Sequence, residues 1–171
     1  MFQVENEYGS YGRDSEYLRK IKSFYEESGI TVPLFTCDGG HRHYLIGGSI
    51  PEVLPAINFG SNPKGNFEDL EEFRKDIPHM CSEFYPGWFN HWGDLKLVSP
   101  RTQRTLDSVK WMVENKKSFN LFVIHGGTNF GWTAGANFFS KYEPTITSYD
   151  YGAPIDETGS PNITFHGLRK Y

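Results

Sequence analysis

The sequence predicts an α/β fold, a parallel β-sheet covered by helices. Short apolar runs alternate with amphipathic stretches along the 171 residues. That is the strand, helix, strand, helix order of parallel strands joined by helical crossovers. The apolar runs carry hydrophobic residues at successive positions, so both faces of each strand are expected to be buried. Polar residues gather where the runs end, as they do at the active face of parallel α/β architectures. Five strands are expected, which fits a doubly wound sheet or part of a barrel.

The elements follow in order. Met1 to Val4 reads as the end of a strand. Asp14 or Ser15 caps a helix with Tyr17, Leu18, Ile21, Phe24 and Tyr25 on one face and Gly29 as its stop. Ile30 to Cys37 reads as a buried strand, followed by a turn at Asp38-Gly39-Gly40 and a loop rich in Gly and His. Val53 to Phe59 is a weaker strand ending at Gly60. Asn66 to Lys75 is expected to be a helix with Phe67, Leu70 and Phe73 inward, and Ile77 to Phe84 a further strand. Ser99-Pro100 forms an N-cap and first-turn pair. Behind it Leu106, Val109, Met112 and Val113 make an apolar stripe, and Lys116 and Lys117 suit the helix C-terminus. Phe119 to Ile124 is the last strand and runs into the loop His125-Gly126-Gly127-Thr128-Asn129-Phe130-Gly131.

Composition narrows the function. With 37% hydrophobic and 22% charged residues, the chain can build a globular core. A net charge of −4 gives no basic face for nucleic acid. No apolar run approaches the roughly 20 residues of a membrane span, and mean hydropathy is −0.54. The aromatic share is 16%; such rings fill cores and also stack on the C–H faces of sugars. Cys37 and Cys81 lie at the ends of apolar runs, outside any CxxC pair, and are expected to be buried free thiols. The opening residues lack the basic and apolar regions of a signal peptide. Asn162-Ile163-Thr164 is a glycosylation sequon, relevant only to a secreted chain.

The chemistry gathers at strand ends. Strand one ends at Asn6-Glu7, strand two at Asp38, strand four at Ser82-Glu83-Phe84-Tyr85 and strand five at His125. Glu7 and Glu83 each follow strand-like residues and precede aromatics. On a barrel both would face one mouth. Two carboxylates across an aromatic mouth suit glycoside hydrolysis: one protonates the departing oxygen, the other attacks the anomeric carbon or activates water. Their separation, about 5–5.5 Å or about 6.5–9.5 Å, decides between retention and inversion. Alternatively, each Glu is a helix-end or ion-pair residue of a ligand-free α/β scaffold.

The blocks FQVENEYGSYG, LFTCDG, SEFYPGWFNHWG, NLFVIHGGTNFGWTAGAN and TSYDYGAPIDETG resemble, in this order, the catalytic region of the β-galactosidases of glycoside hydrolase family 35. The resemblance runs from Met1 to about Gly159. It implies a (β/α)8 TIM barrel with the acid/base on strand four and the nucleophile on strand seven. On this mapping Glu7 is the acid/base and Glu83 the nucleophile of a retaining exo-β-galactosidase that works through a covalent galactosyl-enzyme. Asn6 would bond the sugar 2-hydroxyl, Tyr151 would contact the galactose, and Tyr85 and Trp88 would line the sugar subsite. No metal and no organic cofactor is implied. Cys37 and Asn90 stand where Thr and Asp are common. Phe122 stands where Tyr is frequent, which would remove a hydroxyl from the sugar pocket. A related exo-β-glucosaminidase specificity and a non-catalytic carbohydrate-binding remnant stay open as alternatives.

The resemblance also implies a partial barrel, strands four to eight only. Residues 1–171 would form the C-terminal part of the catalytic domain. The partners implied are a β-galactoside substrate, the N-terminal half of the barrel and the β-rich domains that follow it. The isolated chain is then expected to be weakly active or inactive. The full-length parent is expected to be exported, to a periplasmic, extracellular or lysosomal home.

Other loci have plainer readings. His41-Arg42-His43 offers two of the ligands a metal would need and no third. The glycines of GGTNFG are read as shaping a rim loop that folds Phe130 and Trp132 over the site; the loop lacks the Lys-Ser/Thr ending of a phosphate cradle. His125 is read either as facing the mouth or as packing its loop. Asp150 and Asp156 are read as loop hydrogen-bonders, Asp150 helping to fix Tyr151.

Overall fold

In the computed structural model, residues 1–97 and 100–171 are described. They divide into two compact units. The first comprises Met1–Glu83 with Trp111–Asn120, and the second Phe84–Lys110 with Leu121–Tyr171.

Five strands form one sheet: β1 (Phe2–Gln3), β2 (Leu34–Gly39), β3 (Leu54–Phe59), β4 (Met80–Phe84) and β5 (Ser118–Leu121). Their spatial order is β1-β2-β3-β4-β5. Phe2 pairs with Leu34 and Phe35 with Leu54, both parallel. The order never reverses, so the sheet has no switch point of the doubly wound kind. Sequential neighbours are the barrel arrangement.

The strands are shorter than their apolar runs suggest. β1 ends at Gln3, although Val4 stays buried and its N–H donates to Phe35 O at 2.7 Å. Glu5 and Glu7, with φ of 62° and 53°, then turn the chain into a 3-10 turn at Tyr8–Ser10. β2 starts at Leu34, beyond Pro33, and continues through Asp38 and Gly39. Asp38 is therefore a buried strand residue and not part of a turn. β4 begins at Met80, because Asp76 adopts φ 57° and Pro78 follows it. β5 ends at Leu121; Ile124 is exposed.

The helices show where periodicity misleads. α1 (Ser15–Glu27) is capped by Asp14, whose Oδ1 accepts from Glu16 N (3.0 Å) and Tyr17 N (3.2 Å). Leu18 packs with Val4, Ile50 and Val53, and Ile21 and Tyr25 lie against that cluster. Tyr17 and Phe24 are exposed, contrary to expectation. At 100° per residue they sit at the far edge of the apolar arc, and the core meets the Leu18–Tyr25 edge. The chain leaves α1 through Gly29 at φ 82°.

The expected Gly/His loop contains a helix, α2 (Arg42–Gly48). Its glycines hide it from propensity, yet they let it approach β2. A Cβ on Gly48 would lie 1.9 Å from Asp38 Oδ1. α3 runs Pro63–Phe73, starting ahead of Asn66 because Asn62 caps it by accepting from Gly65 N at 3.3 Å. α4 (Thr102–Glu114) buries Thr105, Ser108, Val109 and Met112, whereas Val113 is exposed. The proposed cap Ser99 lies outside the described residues. Three elements were not expected: the antiparallel hairpin β6 (Ala136–Phe138) and β7 (Tyr142–Pro144), and α5 (Ile163–Leu168), capped by Asn162. Both cysteines are buried and free. Among the described residues no helix is long and apolar enough to cross a membrane.

Candidate active site

The polar strand ends of the first unit are tied together. The Glu7 N–H donates to Cys37 O at 2.9 Å, fastening the turn after β1 onto β2. Asn58, at the end of β3, donates from Nδ2 to Glu7 Oε1 at 3.0 Å. Asn58 Oδ1 accepts from Ser82 Oγ of β4 at 2.8 Å. Asn120 Nδ2 of β5 donates to Ser82 O at 3.2 Å. A single run of hydrogen bonds thus reaches from Glu7 to the residue that precedes Glu83. Asn58 and Ser82 are 4% and 6% exposed, so these bonds are shielded from water.

Glu83 acts electrostatically on the same neighbourhood. Burial pushes the Cys37 thiol up to about 11, the Asn58 and Glu7 hydrogen bonds oppose this, and the Glu83 charge adds to the rise. Burial chiefly raises Cys81 as well, again with Glu83 contributing. Asn6 sits over Cys37: its Oδ1 accepts from Gln3 Nε2 at 2.9 Å and from Cys37 Sγ at 3.4 Å. Asp38 lies beside this group, 1% exposed, with Oδ1 accepting from Gly9 N at 2.8 Å. Burial pushes its carboxyl up to about 7, the Gly9 bond pulls it down, and the Glu7 and Glu5 charges raise it. A cleft of about 410 Å³ opens at the ends of β2 and β3, with Asn58, Tyr44, Asn62 and Asn66 in its wall.

The second unit carries the aromatic residues. Tyr85 meets Trp88 and Phe122 edge-on, with centroids 6.0 and 6.4 Å apart. Tyr151 lies 6.1 Å from Trp88, 6.0 Å from Phe122 and 5.2 Å from Tyr149. Tyr85, Trp88 and Tyr151 therefore come together as one cluster. Tyr151 is buried with φ 64°. The close pass of the chain beside it requires glycine: a Cβ on Gly87 would lie 1.7 Å from Tyr151 O. Arg104 Nη2 donates to Tyr85 O at 3.2 Å and holds the segment from outside.

Several loci resolve into local roles. Asp150 accepts from Gly152 N (3.3 Å) and Glu157 N (2.8 Å), and Asp156 accepts from Thr158 N and Ser160 N. Both are loop hydrogen-bonders, and the Asp150 bonds bracket Tyr151. Phe130 and Trp132 are 89% and 95% exposed among the described residues. The glycines that were expected to fold them inward leave the loop open. His41 Nδ1 lies 3.2 Å from Asp69 Oδ2. His125 is exposed and bridges to Ile155.

The sequence reading overlooked Asn58, and it placed Asp38 and Ser82 at strand ends without giving either a role in the site. Their signal was present: each is a polar residue inside an apolar strand run, and such residues are buried only when they are bonded.

Comparison with known proteins adds to this geometry. A family model described as glycosyl hydrolases family 35 matches residues 1–171. A beta-galactosidase of Xanthomonas manihotis is 39% identical over 173 residues, covering 98% of this chain and 28% of that protein. Beta-galactosidase 17 of Arabidopsis thaliana is 40% identical over 181 residues, covering 99% of this chain and 26% of that protein. Human beta-galactosidase-1-like protein 3 is 35% identical, covering 98% of this chain and 25% of its own length. The chain belongs to glycosyl hydrolases family 35. It spans about a quarter of the length of the curated relatives it matches.

Proposed function

We propose that this chain carries the catalytic pair of a retaining exo-β-galactosidase, which removes terminal β-galactose from oligosaccharides or glycans. Glu7 is the acid/base and Glu83 the nucleophile. Glu83 attacks the anomeric carbon and forms a galactosyl ester, while Glu7 gives its proton to the departing oxygen. Glu7 then takes a proton from water, which attacks the same carbon and releases galactose. Asn6 bonds the 2-hydroxyl, and Tyr85, Trp88 and Tyr151 shape the sugar subsite. The five strands correspond to strands four to eight of an eight-stranded barrel, with residues 1–171 as the C-terminal part of the catalytic domain. The remaining strands and the β-rich domains are its partners in the working enzyme.

The observation that carries this reading is the family match along the whole chain, with Glu7 in the turn after β1 and Glu83 within β4. The hydrogen-bond run from Glu7 to Ser82 supports it. The test is trapping with 2-deoxy-2-fluoro-galactosyl fluoride, applied to the full chain as the cell makes it. Peptide mass spectrometry should find the fluorosugar on Glu83. Label on another carboxylate, or none, overturns the assignment.

A further inference from the structure

We infer that Asn58 is a positioning residue for Glu7 and fixes the orientation of its carboxyl group. The inference rests on the glycosidase reading above. Asn58 Nδ2 donates to Glu7 Oε1 at 3.0 Å. That bond ties one carboxyl oxygen to a fixed donor and so holds the group in one orientation. An acid catalyst needs that definition, because its proton must point at the departing oxygen.

The amide cannot reverse its ends at low cost. Ser82 Oγ donates to Asn58 Oδ1 at 2.8 Å, and Nδ2 also lies 3.5 Å from Cys37 Sγ. A flip would turn the carbonyl towards the Glu7 carboxylate and leave Ser82 facing an N–H₂ group. With Asn58 4% exposed, water is poorly placed to compensate. Ser82 is in turn followed directly by Glu83, so the group that orients the acid is anchored to the strand that carries the nucleophile. Oriented donors of this kind act without reorganising during the reaction.

The experiment compares leaving groups in the full chain as the cell makes it. Asn58→Leu removes the donor while keeping the number of side-chain heavy atoms, and Asn58→Ala removes it without adding bulk or charge beside Glu7. For a β-galactoside with an alkyl or sugar leaving group, which needs protonation, kcat/KM should fall by about 100-fold or more. For dinitrophenyl β-galactoside, whose phenolate leaves unprotonated, it should be almost unchanged. The fluorosugar should still label Glu83 in both variants, because fluoride departs without the acid. Equal losses on both substrates, with labelling retained, overturn the role of Asn58 and leave the glycosidase reading standing. No label and no turnover in the unaltered full-length enzyme, residues 1–171 together with the remaining strands, overturn both. Asn58→Ala guards against misfolding of the bulkier Leu variant, since it adds no atoms to the site.

Discussion

A carboxyl group becomes an acid catalyst only when its proton is aimed, and in the role proposed for Glu7 that aim would come from Asn58 on β3. Replacing Glu7 with Gln should lower kcat/KM by about 10²–10⁴-fold on substrates with poor leaving groups. Activated aryl galactosides should react almost normally in the first step, and added azide should restore turnover by supplying a nucleophile that needs no base. Steady-state kinetics on both substrate types checks this. Asp38 makes a separate prediction. Burial pushes its carboxyl up to about 7, with Glu7 and Glu5 adding to the rise. The unfolded group titrates near ~3.9. Between these values the folded chain holds a proton that the unfolded chain has lost, so stability should fall as pH rises from about 4 to about 7. Asp38→Asn keeps an acceptor for the Gly9 N–H and should flatten that slope. Urea midpoints measured across this range check it.

At the scale of elements, close approach governs where helices sit. α2 lies against β2 because Gly48 has no side chain there. Gly48→Ala should destabilise by about 1–3 kcal/mol through overpacking against the Asp38 carboxyl, read as a lowered thermal midpoint. α5 depends on Asn162 in two ways. Its Oδ1 accepts from Thr164 N (2.9 Å) and Phe165 N (3.3 Å), and its Nδ2 donates to Ala153 O at 2.7 Å. Asn162→Ala should cost about 1 kcal/mol for the lost cap, with the loss of the Ala153 bond in addition. Chemical denaturation gives the number. The residue read from sequence as a sequon is thus a structural capping group.

For the molecule as a whole, the chain's length against its relatives frames what it can do. It spans about a quarter of them, and its sheet has β1 and β5 as edge strands. Catalytic electrostatics require a dry, preorganised site, and edge strands leave backbone groups open to other chains. Residues 1–171 made alone should hydrolyse a chromogenic β-galactoside far more slowly than complete family members. A rate equal to theirs would refute this. The same preparation should associate with rising concentration in sedimentation velocity.

The sequence by itself determined the parallel α/β class and the five strands. Apolar runs, helix caps such as Asp14, and glycine stops such as Gly29 are local signals, readable without knowing what packs where. The block order VENEYG to SYDYGAP carried the family in the same way. Tertiary structure decided the rest. It ended β2 after Asp38 instead of before it, placed the core at the Leu18 edge of α1, and made a helix of HRHYLIGG. It also joined Glu7, Asn58 and Ser82, residues far apart in the chain whose bonding no local pattern encodes. A hydrogen bond between strands depends on register and twist, and those are set only when the sheet assembles.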